Sequence, residues 1–333
     1  MKTLFSQYLE KRFKKNKILI NSNNLNELYH RFENTFKKMS SDFLSNIERI
    51  DSIYNNTHSY KNNIIFKTKT VINILNNNQK ININIYYNND KIDDFINYIL
   101  FVIHFMLKYS NFNENFQIDY LLTDHKKEIN SKERGQIFTE NEINSGLTYF
   151  NKNKIIIWRK EEIFKVTIHE LIHLFRLGTN QNYINLVNHY KKIYSISSKY
   201  VLIDEAYTEF LAILVNSYLI SKFLKKTYNY FVYLLKLEIN FTKYQCEKII
   251  YLSRKNNVDI IDINKHTQVL SYFFIKYDMF KNIDNMIKLI LINNLNDIEK
   301  ILIDSKSIRY NKINKNNKEF KTMRMSLNEV KLF

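Results

Sequence analysis

Apolar residues recur at helical spacing along parts of the chain and alternate with polar residues along others. The stretch 25–54 carries an apolar stripe with helical spacing, which predicts a helix. The period then changes, because 64–74 and 80–87 are rich in isoleucine and partly alternate, and Asn76–Gln79 lies between them. This pattern predicts a β-hairpin.

Beyond the hairpin, helical patterns dominate and strand patterns are few. A strand is predicted at 116–122, and a second hairpin at 145–150 and 154–158. Helices are predicted at 92–108, 160–177, 183–194, 201–222, 227–239, 243–254, 266–280 and 284–303. Residues 304–333 are polar and basic, and we expect a weakly ordered tail there. The predicted fold class is α+β, mostly helical, with a small mixed sheet.

The helix at 160–177 contains an H-E-x-x-H sequence with His169, Glu170 and His173 as its polar members. Two histidines four residues apart lie on one face of a helix, where both imidazoles can hold one metal ion. Glu170 lies one step around the helix and could reach a water molecule on that metal. The dense apolar residues around the motif indicate a buried helix, where unpaired polar groups are costly. The alternative is a pair of core histidines satisfied by hydrogen bonds. Gly178 is predicted to end the helix in the left-handed conformation.

A catalytic zinc site needs three protein ligands and an open position for water. A metzincin would have Gly at position 176 and His at position 179, and this chain has Arg176 and Thr179 instead. Downstream, Glu205 and Glu209 are four residues apart near the start of the helix at 201–222, and therefore lie on one face. These two glutamates are candidates for the site, and a solvated helix face is the alternative.

Asp204–Glu205–Ala206–x–x–Glu209, coming after the H-E-x-x-H sequence, resembles the gluzincin pattern of thermolysin-like zinc metallopeptidases, in which N-E-A-x-x-D follows H-E-x-x-H. The resemblance implies that His169, His173 and Glu205 bind one zinc ion per chain and that Glu170 is the general base. It also implies that Glu209 orients a ligand histidine. Asp204 stands where asparagine is usual, and Glu209 where aspartate is usual.

The same resemblance implies a zincin-like architecture, with the sheet beside the H-E-x-x-H helix and a helical C-terminal lobe. Residues 1–110 would be an N-terminal helical region with a β-hairpin, 111–303 the catalytic domain and 304–333 a basic tail. Peptidases of this class commonly pair a peptide substrate with a sheet edge. That edge would comprise Ser145, Gly146, Leu147 and Thr148, with an ordinary hairpin bulged at Gly146 as the alternative. His266 and Tyr272 are candidates for the donor that stabilises the oxyanion.

Composition narrows the function classes without identifying one. The 333 residues include no proline, three glycines and one cysteine, Cys246, which excludes an internal disulfide. The bias toward Asn, Lys, Ile and Tyr is typical of an AT-rich genome, such as that of a large DNA virus or of an AT-rich parasite. The formal charge is +17, but the lysines are spread along the chain and no nucleic-acid-binding motif accompanies them. Sequence-specific nucleic-acid binding is therefore not expected.

The function predicted from these observations is a zinc-dependent metallopeptidase that acts on a peptide or protein substrate. No apolar run is long enough to span a bilayer, and no signal peptide is recognised, so we expect a soluble, intracellular protein. An alternative is a catalytically inactive zincin-like protein with a basic binding surface. A second alternative is a hydrolase of another substrate, since a fold and a motif do not fix the substrate. The oligomeric state stays open.

Overall fold

The computed structural model describes most of the chain and shows an α+β fold. The described residues are 2–14, 20, 22–40, 42–76, 78–129, 138–179, 181–195, 201–253, 267–308 and 313–333. The candidate residue His266 lies outside them. In the described part of the chain, no helix is long and apolar enough to cross a membrane.

The described strands and helices follow the predicted order over much of the chain. The strands are β1 (Ile47–His58), β2 (Lys61–Asn76), β3 (Gln79–Tyr87), β4 (Phe116–Leu121), β5 (Gly146–Tyr149) and β6 (Lys154–Ile157). The helices are α1 (Leu4–Phe13), α2 (Asn23–Lys37), α3 (Asp42–Ser45), α4 (Asp93–Ser110), α5 (Glu140–Ile143), α6 (Ile163–Leu174), α7 (Ile184–Ile193), α8 (Ile203–Phe223), α9 (Tyr228–Ser253), α10 (Lys276–Lys281), α11 (Ile283–Leu291) and α12 (Ile298–Leu302). A π-helix, Leu270–Ile275, precedes α10.

The chain divides into two compact units, each assembled from separated stretches. The sheet unit consists of residues 31–125, 145–177 and 331–333. The helical unit consists of residues 1–30, 126–144 and 178–330. The boundary predicted at residue 110 falls inside one continuous stretch of the sheet unit.

The six strands form one mixed sheet in the order β1-β2-β3-β4-β6-β5. The pairs β1–β2, β2–β3 and β5–β6 are antiparallel, and β3–β4 and β4–β6 are parallel. Both predicted hairpins are confirmed by this pairing. The parallel step from β3 to β4 needs a long crossover, which α4 provides. Strand β5 lies at one edge of the sheet and β1 at the other.

The two faces of the central strands differ in polarity, because successive side chains of a strand point to opposite faces. Ile83, Ile118 and Ile155 are fully buried on one face. On that face Tyr120 of β4 and Thr167 of α6 are hydrogen-bonded through their hydroxyls, 3.1 Å apart. The opposite face carries Asp119 and other polar side chains. Helix α6 is therefore held on the apolar face.

The helix predicted at 25–54 is wrong beyond its first half. Helix α2 ends at Lys37, and Ile47–His58 forms the edge strand β1. The isoleucines of β1 do not form the buried face that a helix would need, because Ile50 and Ile53 are 47% and 84% exposed. The long strand β2 determines this outcome, since it supplies backbone hydrogen-bond partners along most of β1.

The helical unit contains a buried carboxylate that fixes the end of the chain. Glu238 of α9 is fully buried and accepts hydrogen bonds from the backbone N–H groups of Leu327 and Asn328 at 2.9 Å. It also accepts one from the Ser326 hydroxyl at 2.7 Å. Burying a carboxylate is costly unless several donors surround it, and the chain end supplies those donors. The prediction of a weakly ordered tail is therefore wrong for its final residues, in which Leu327 and Val330 are buried.

We expect Glu238→Gln to lower the free energy of unfolding by about 2–4 kcal/mol, because the amide nitrogen would face backbone N–H donors in a buried cradle. The free energy is measured by urea denaturation. Limited proteolysis should also cut the chain end of the variant faster than that of the wild type.

Glu27→Gln is the matched control for this substitution. Glu27 is an exposed residue of α2, so its replacement should change the free energy of unfolding by less than about 0.5 kcal/mol. If Glu238→Gln unfolds at the same urea concentration as the control, the cradle does not stabilise the chain end.

Candidate metal centre

Helix α6 carries the H-E-x-x-H sequence and is buried along almost its whole length. The side chain of His173 is partly exposed near its end, whereas His169 and Glu170 are each 6% exposed. The helix ends at Leu174, and Arg176 adopts the left-handed conformation with φ of 54°. The prediction that Gly178 would make this stop is wrong. Gly178 instead leaves room for Asp204, whose carboxylate occupies the space that a β-carbon would need.

The two histidines of the motif point their Nε2 atoms at one another, 3.2 Å apart. Two nitrogen ligands of a tetrahedral zinc ion, each about 2.0–2.1 Å from the metal, lie about 3.3 Å apart. The observed separation fits two ligands of one metal. It also fits the alternative of a hydrogen bond between the rings, so this distance alone does not decide between the two.

Glu205 belongs to the same group of potential ligands. One ligand atom from each of His169, His173 and Glu205 can be chosen so that all three lie within 4.8 Å of one another. Among the described residues, this is the group of histidine, cysteine, aspartate and glutamate side chains that could hold a metal ion. The structure thus brings together the three ligands that the resemblance implies.

The neighbours of Glu205 on α8 have other partners. Asp204 accepts hydrogen bonds from the backbone N–H of Thr179 at 2.5 Å and from its hydroxyl at 3.2 Å. Both contacts need only an acceptor at position 204, which a carboxylate provides. Glu209 is fully buried, so the solvated-face alternative is wrong for this residue, and it lies 3.5 Å from the ammonium group of Lys276. Its predicted effect on a ligand histidine stays a prediction.

Glu170 is held against the edge strand β5. Its Oε2 atom lies 2.7 Å from the Thr148 hydroxyl, which donates to it. A β-carbon at Gly146 would lie 2.6 Å from Glu170 Oε1 and 2.8 Å from its Cγ. Real β-carbons do not approach other atoms so closely, so Gly146 is required for this packing. Gly146 therefore makes room for the Glu170 side chain.

The residues predicted to bind substrate lie on or beside this edge strand. Ser145 is buried and its carbonyl accepts from the Trp158 backbone N–H at 3.0 Å. Because hydrogen-bonded pairs alternate along an antiparallel ladder, the backbone groups of Gly146 and Thr148 point away from β6. Leu147 is 40% exposed. The strand thus presents an outer row of backbone donors and acceptors.

Tyr272 lies on the π-helix Leu270–Ile275 and is partly exposed. The apolar period of the sequence predicts a regular helix there and gives no sign of the wider turn. Such turns are rare and occur frequently at functional sites. The proposed role of Tyr272 as oxyanion donor stays a prediction.

Sequence reasoning missed two contacts of the site. The first is the role of Thr148 as a hydrogen-bond donor to Glu170. The second is Phe150, 56% exposed, whose ring lies edge-on to that of His173 with centroids 6.4 Å apart. Phe150 follows β5 directly, so the predicted hairpin indicates that Phe150 lies near the helix. The hairpin does not indicate that its ring contacts His173.

Comparison with known proteins gives a partial match. A segment of 73 residues is 36% identical to "Uncharacterized protein R210" of Acanthamoeba polyphaga mimivirus. The match covers 22% of this chain and 18% of that protein. No protein-family model matches the chain, and no solved structure matches it.

We expect Gly146→Ala to lower the free energy of unfolding by about 1–3 kcal/mol, because the new methyl group overlaps the Glu170 side chain. The double variant Gly146→Ala with Glu170→Ala removes the overlap and should recover most of that loss. Urea denaturation of both single variants and the double variant gives the interaction free energy. Additive effects would show that Glu170 does not pack against Gly146.

Proposed function

We propose that this protein is a zinc-dependent metallopeptidase. The observation that carries the proposal is the clustering of His169, His173 and Glu205 beside a glutamate that stands between the two histidines in sequence. A structural metal site would use a fourth protein ligand and would need no such glutamate. The combination of three ligands with a buried, oriented carboxylate is what hydrolysis by an activated water requires.

The donor set supports zinc over harder cations. Two imidazole nitrogens and one carboxylate oxygen suit zinc and related transition metals, whereas calcium and magnesium are bound mainly by oxygen. A zinc ion held by these three side chains would polarise the scissile carbonyl. It would also lower the pKa of a bound water molecule, so that the water is more easily deprotonated for attack on that carbonyl.

Glu170 is the general base of the proposed reaction. It accepts the proton of the attacking water and then delivers that proton to the leaving amine as the peptide bond breaks. Thr148 fixes the carboxylate through the 2.7 Å hydrogen bond, and Gly146 lets it lie flat against β5. Because the side chain is already oriented, little conformational entropy is lost when the substrate binds.

The substrate pairs with β5 as an added strand. The outward backbone groups of Gly146 and Thr148 supply hydrogen bonds to an extended peptide, which is a common mode of peptide recognition. The strand also carries the residue that holds Glu170, so that the peptide backbone and the base are positioned by the same element. An open edge strand favours an extended peptide over a small substrate, which would need a closed pocket.

Zinc stoichiometry and peptidase activity of matched variants test this proposal. We expect about one zinc per chain in the wild type and loss of zinc in His169→Ala and in Glu205→Ala. Glu170→Gln should keep its zinc and lose at least about a thousandfold in kcat against a peptide library, because the base is gone while the ligands remain. Elemental analysis and a fluorogenic peptide assay measure the two quantities.

Two results would contradict the proposal. A Glu170→Gln variant with normal activity would exclude its role as base. A folded wild type that takes up zinc but cleaves no peptide in the library would favour a non-catalytic protein with a metal site. His189→Ala is the control for loss of a histidine, because His189 is outside the ligand group and contacts the Ser305 carbonyl at 2.8 Å. This control should keep its zinc.

We expect Thr148→Val to lower kcat about tenfold, because it removes the hydroxyl that fixes the base while keeping the size and backbone of the residue. Zinc content and KM should change little. Thr148→Ser retains the hydroxyl and should retain most of the activity. A rise in KM alone would instead assign Thr148 to substrate binding.

A further inference from the structure

A second polar region lies within the sheet unit, on the face of the sheet opposite α6. Strand pairing places Asn84 of β3 beside Asp119 of β4, and Gln117 of β4 beside Lys154 of β6. These side chains line a hollow of about 630 Å³. The rest of the lining comes from Asn82 and Tyr86 of β3 and from the ribbon formed by β1 and β2, which includes Lys69. The volume is in the range of small-molecule sites, about 300–1,000 Å³.

The floor of the hollow is a fully satisfied aspartate. Asp119 is 1% exposed, and its Oδ1 atom accepts from the amides of Asn84 and Gln117, each at 2.7 Å. Its Oδ2 atom lies 2.7 Å from the Lys154 ammonium and 3.5 Å from His58 Nε2. Burial alone would raise the pKa of Asp119, but these four donors outweigh burial and hold the pKa well below its usual value. Asp119 is therefore an ionised and fixed part of the lining.

His58 of β1 contacts the aspartate at the floor of the hollow. Its Nδ1 atom accepts from the backbone N–H of Tyr60 at 3.1 Å, which leaves Nε2 to face Asp119. Apart from this histidine, the lysines and carboxylates of the lining are Lys69, Lys154 and Asp119. The single negative charge is already paired with Lys154.

Lys69 is left with an uncompensated charge. Its ammonium group lies 5.4 Å from the centre of the Tyr86 ring, a cation–π contact that holds it at the wall of the hollow. None of the carboxylates in the described residues forms an ion pair with it. A cleft with a net positive lining raises the local concentration of anions. The hollow thus offers a fixed cation, a second ammonium with spare donors, and amide groups.

We propose that this hollow binds a small phosphomonoester of a polyol, with its phosphoryl group at Lys69 and Lys154 and its hydroxyl groups at the amides of Asn84 and Gln117. A phosphomonoester carries up to two negative charges at neutral pH and therefore suits two lysines better than a carboxylate does. The volume leaves room for the attached sugar. The site is separate in the fold from the H-E-x-x-H motif and does not depend on peptidase activity.

Isothermal titration of the full chain with ribose 5-phosphate, ribose and inorganic phosphate tests the proposal. We expect saturable binding of ribose 5-phosphate at one site per chain, weaker binding of phosphate and none of ribose. Lys69→Gln should weaken the binding of ribose 5-phosphate about tenfold or more, since it removes one charge-assisted contact. Lys69→Arg should restore most of the affinity.

Lys67→Gln is the matched control, because Lys67 is an exposed lysine two residues earlier on the same strand and does not line the hollow. Its replacement should leave the affinity unchanged. Equal losses in the Lys67 and Lys69 variants would mean that the ligand senses only the general positive charge, and would overturn the proposal. So would the absence of saturable binding, or equal affinity for phosphate and ribose 5-phosphate.

Discussion

The close packing of α6 against β5 is the constraint on which the sheet unit depends most. Glu170 occupies the space above Gly146, and its carboxylate meets Thr148. This contact fixes both the height and the rotation of the helix over the edge strand. Because His169 and His173 are on the same rigid helix, their orientation follows from the same contact. A bulkier edge strand would move the carboxylate and both imidazoles together.

The mixed sheet separates two kinds of chemistry by strand alternation alone. The central strands place isoleucines on the face that carries α6. The other face carries the polar side chains of the hollow, beside a buried apolar cluster of Phe66, Tyr86, Leu121, Ile156 and Trp158. The apolar row supplies the burial that stabilises the unit. The polar row can include an ionised aspartate because four donors surround it: Asn84 of β3, Lys154 of β6, His58 of β1 and Gln117 of its own strand. Neither row could shift by one residue without exposing isoleucine and burying unpaired amides, so both faces fix the register.

The sequence was most informative where the signal is local. The hairpins, α4 and α6 follow from the period of apolar residues and from short turns, and the H-E-x-x-H spacing by itself places two imidazoles on one helix face. The predictions failed where a distant segment decides the structure. Strand β1 has residues at helical spacing, yet it forms a strand because β2 offers a long row of backbone partners. Leu327 and Asn328 belong to a polar and basic stretch. They are nevertheless buried, because their backbone N–H groups donate hydrogen bonds to the buried carboxylate of Glu238.

The same distinction explains which parts of the candidate site could be predicted. The proposed metal ligands and the proposed base are specified by residue type and spacing, so they can be recognised one motif at a time. The residues that support them cannot be recognised in this way. Thr148 and Gly146 gain their roles only when β5 lies against α6, and Lys276 gains its role only when it lies beside Glu209. Asp119 shows the limit of such reasoning. In sequence it is one aspartate in an apolar strand, and its four donors come from residues 35 to 61 positions away, apart from Gln117. Polar residues inside apolar strands are therefore worth testing as partners of one another once the strand order is known, since burial forces them to find donors across the sheet.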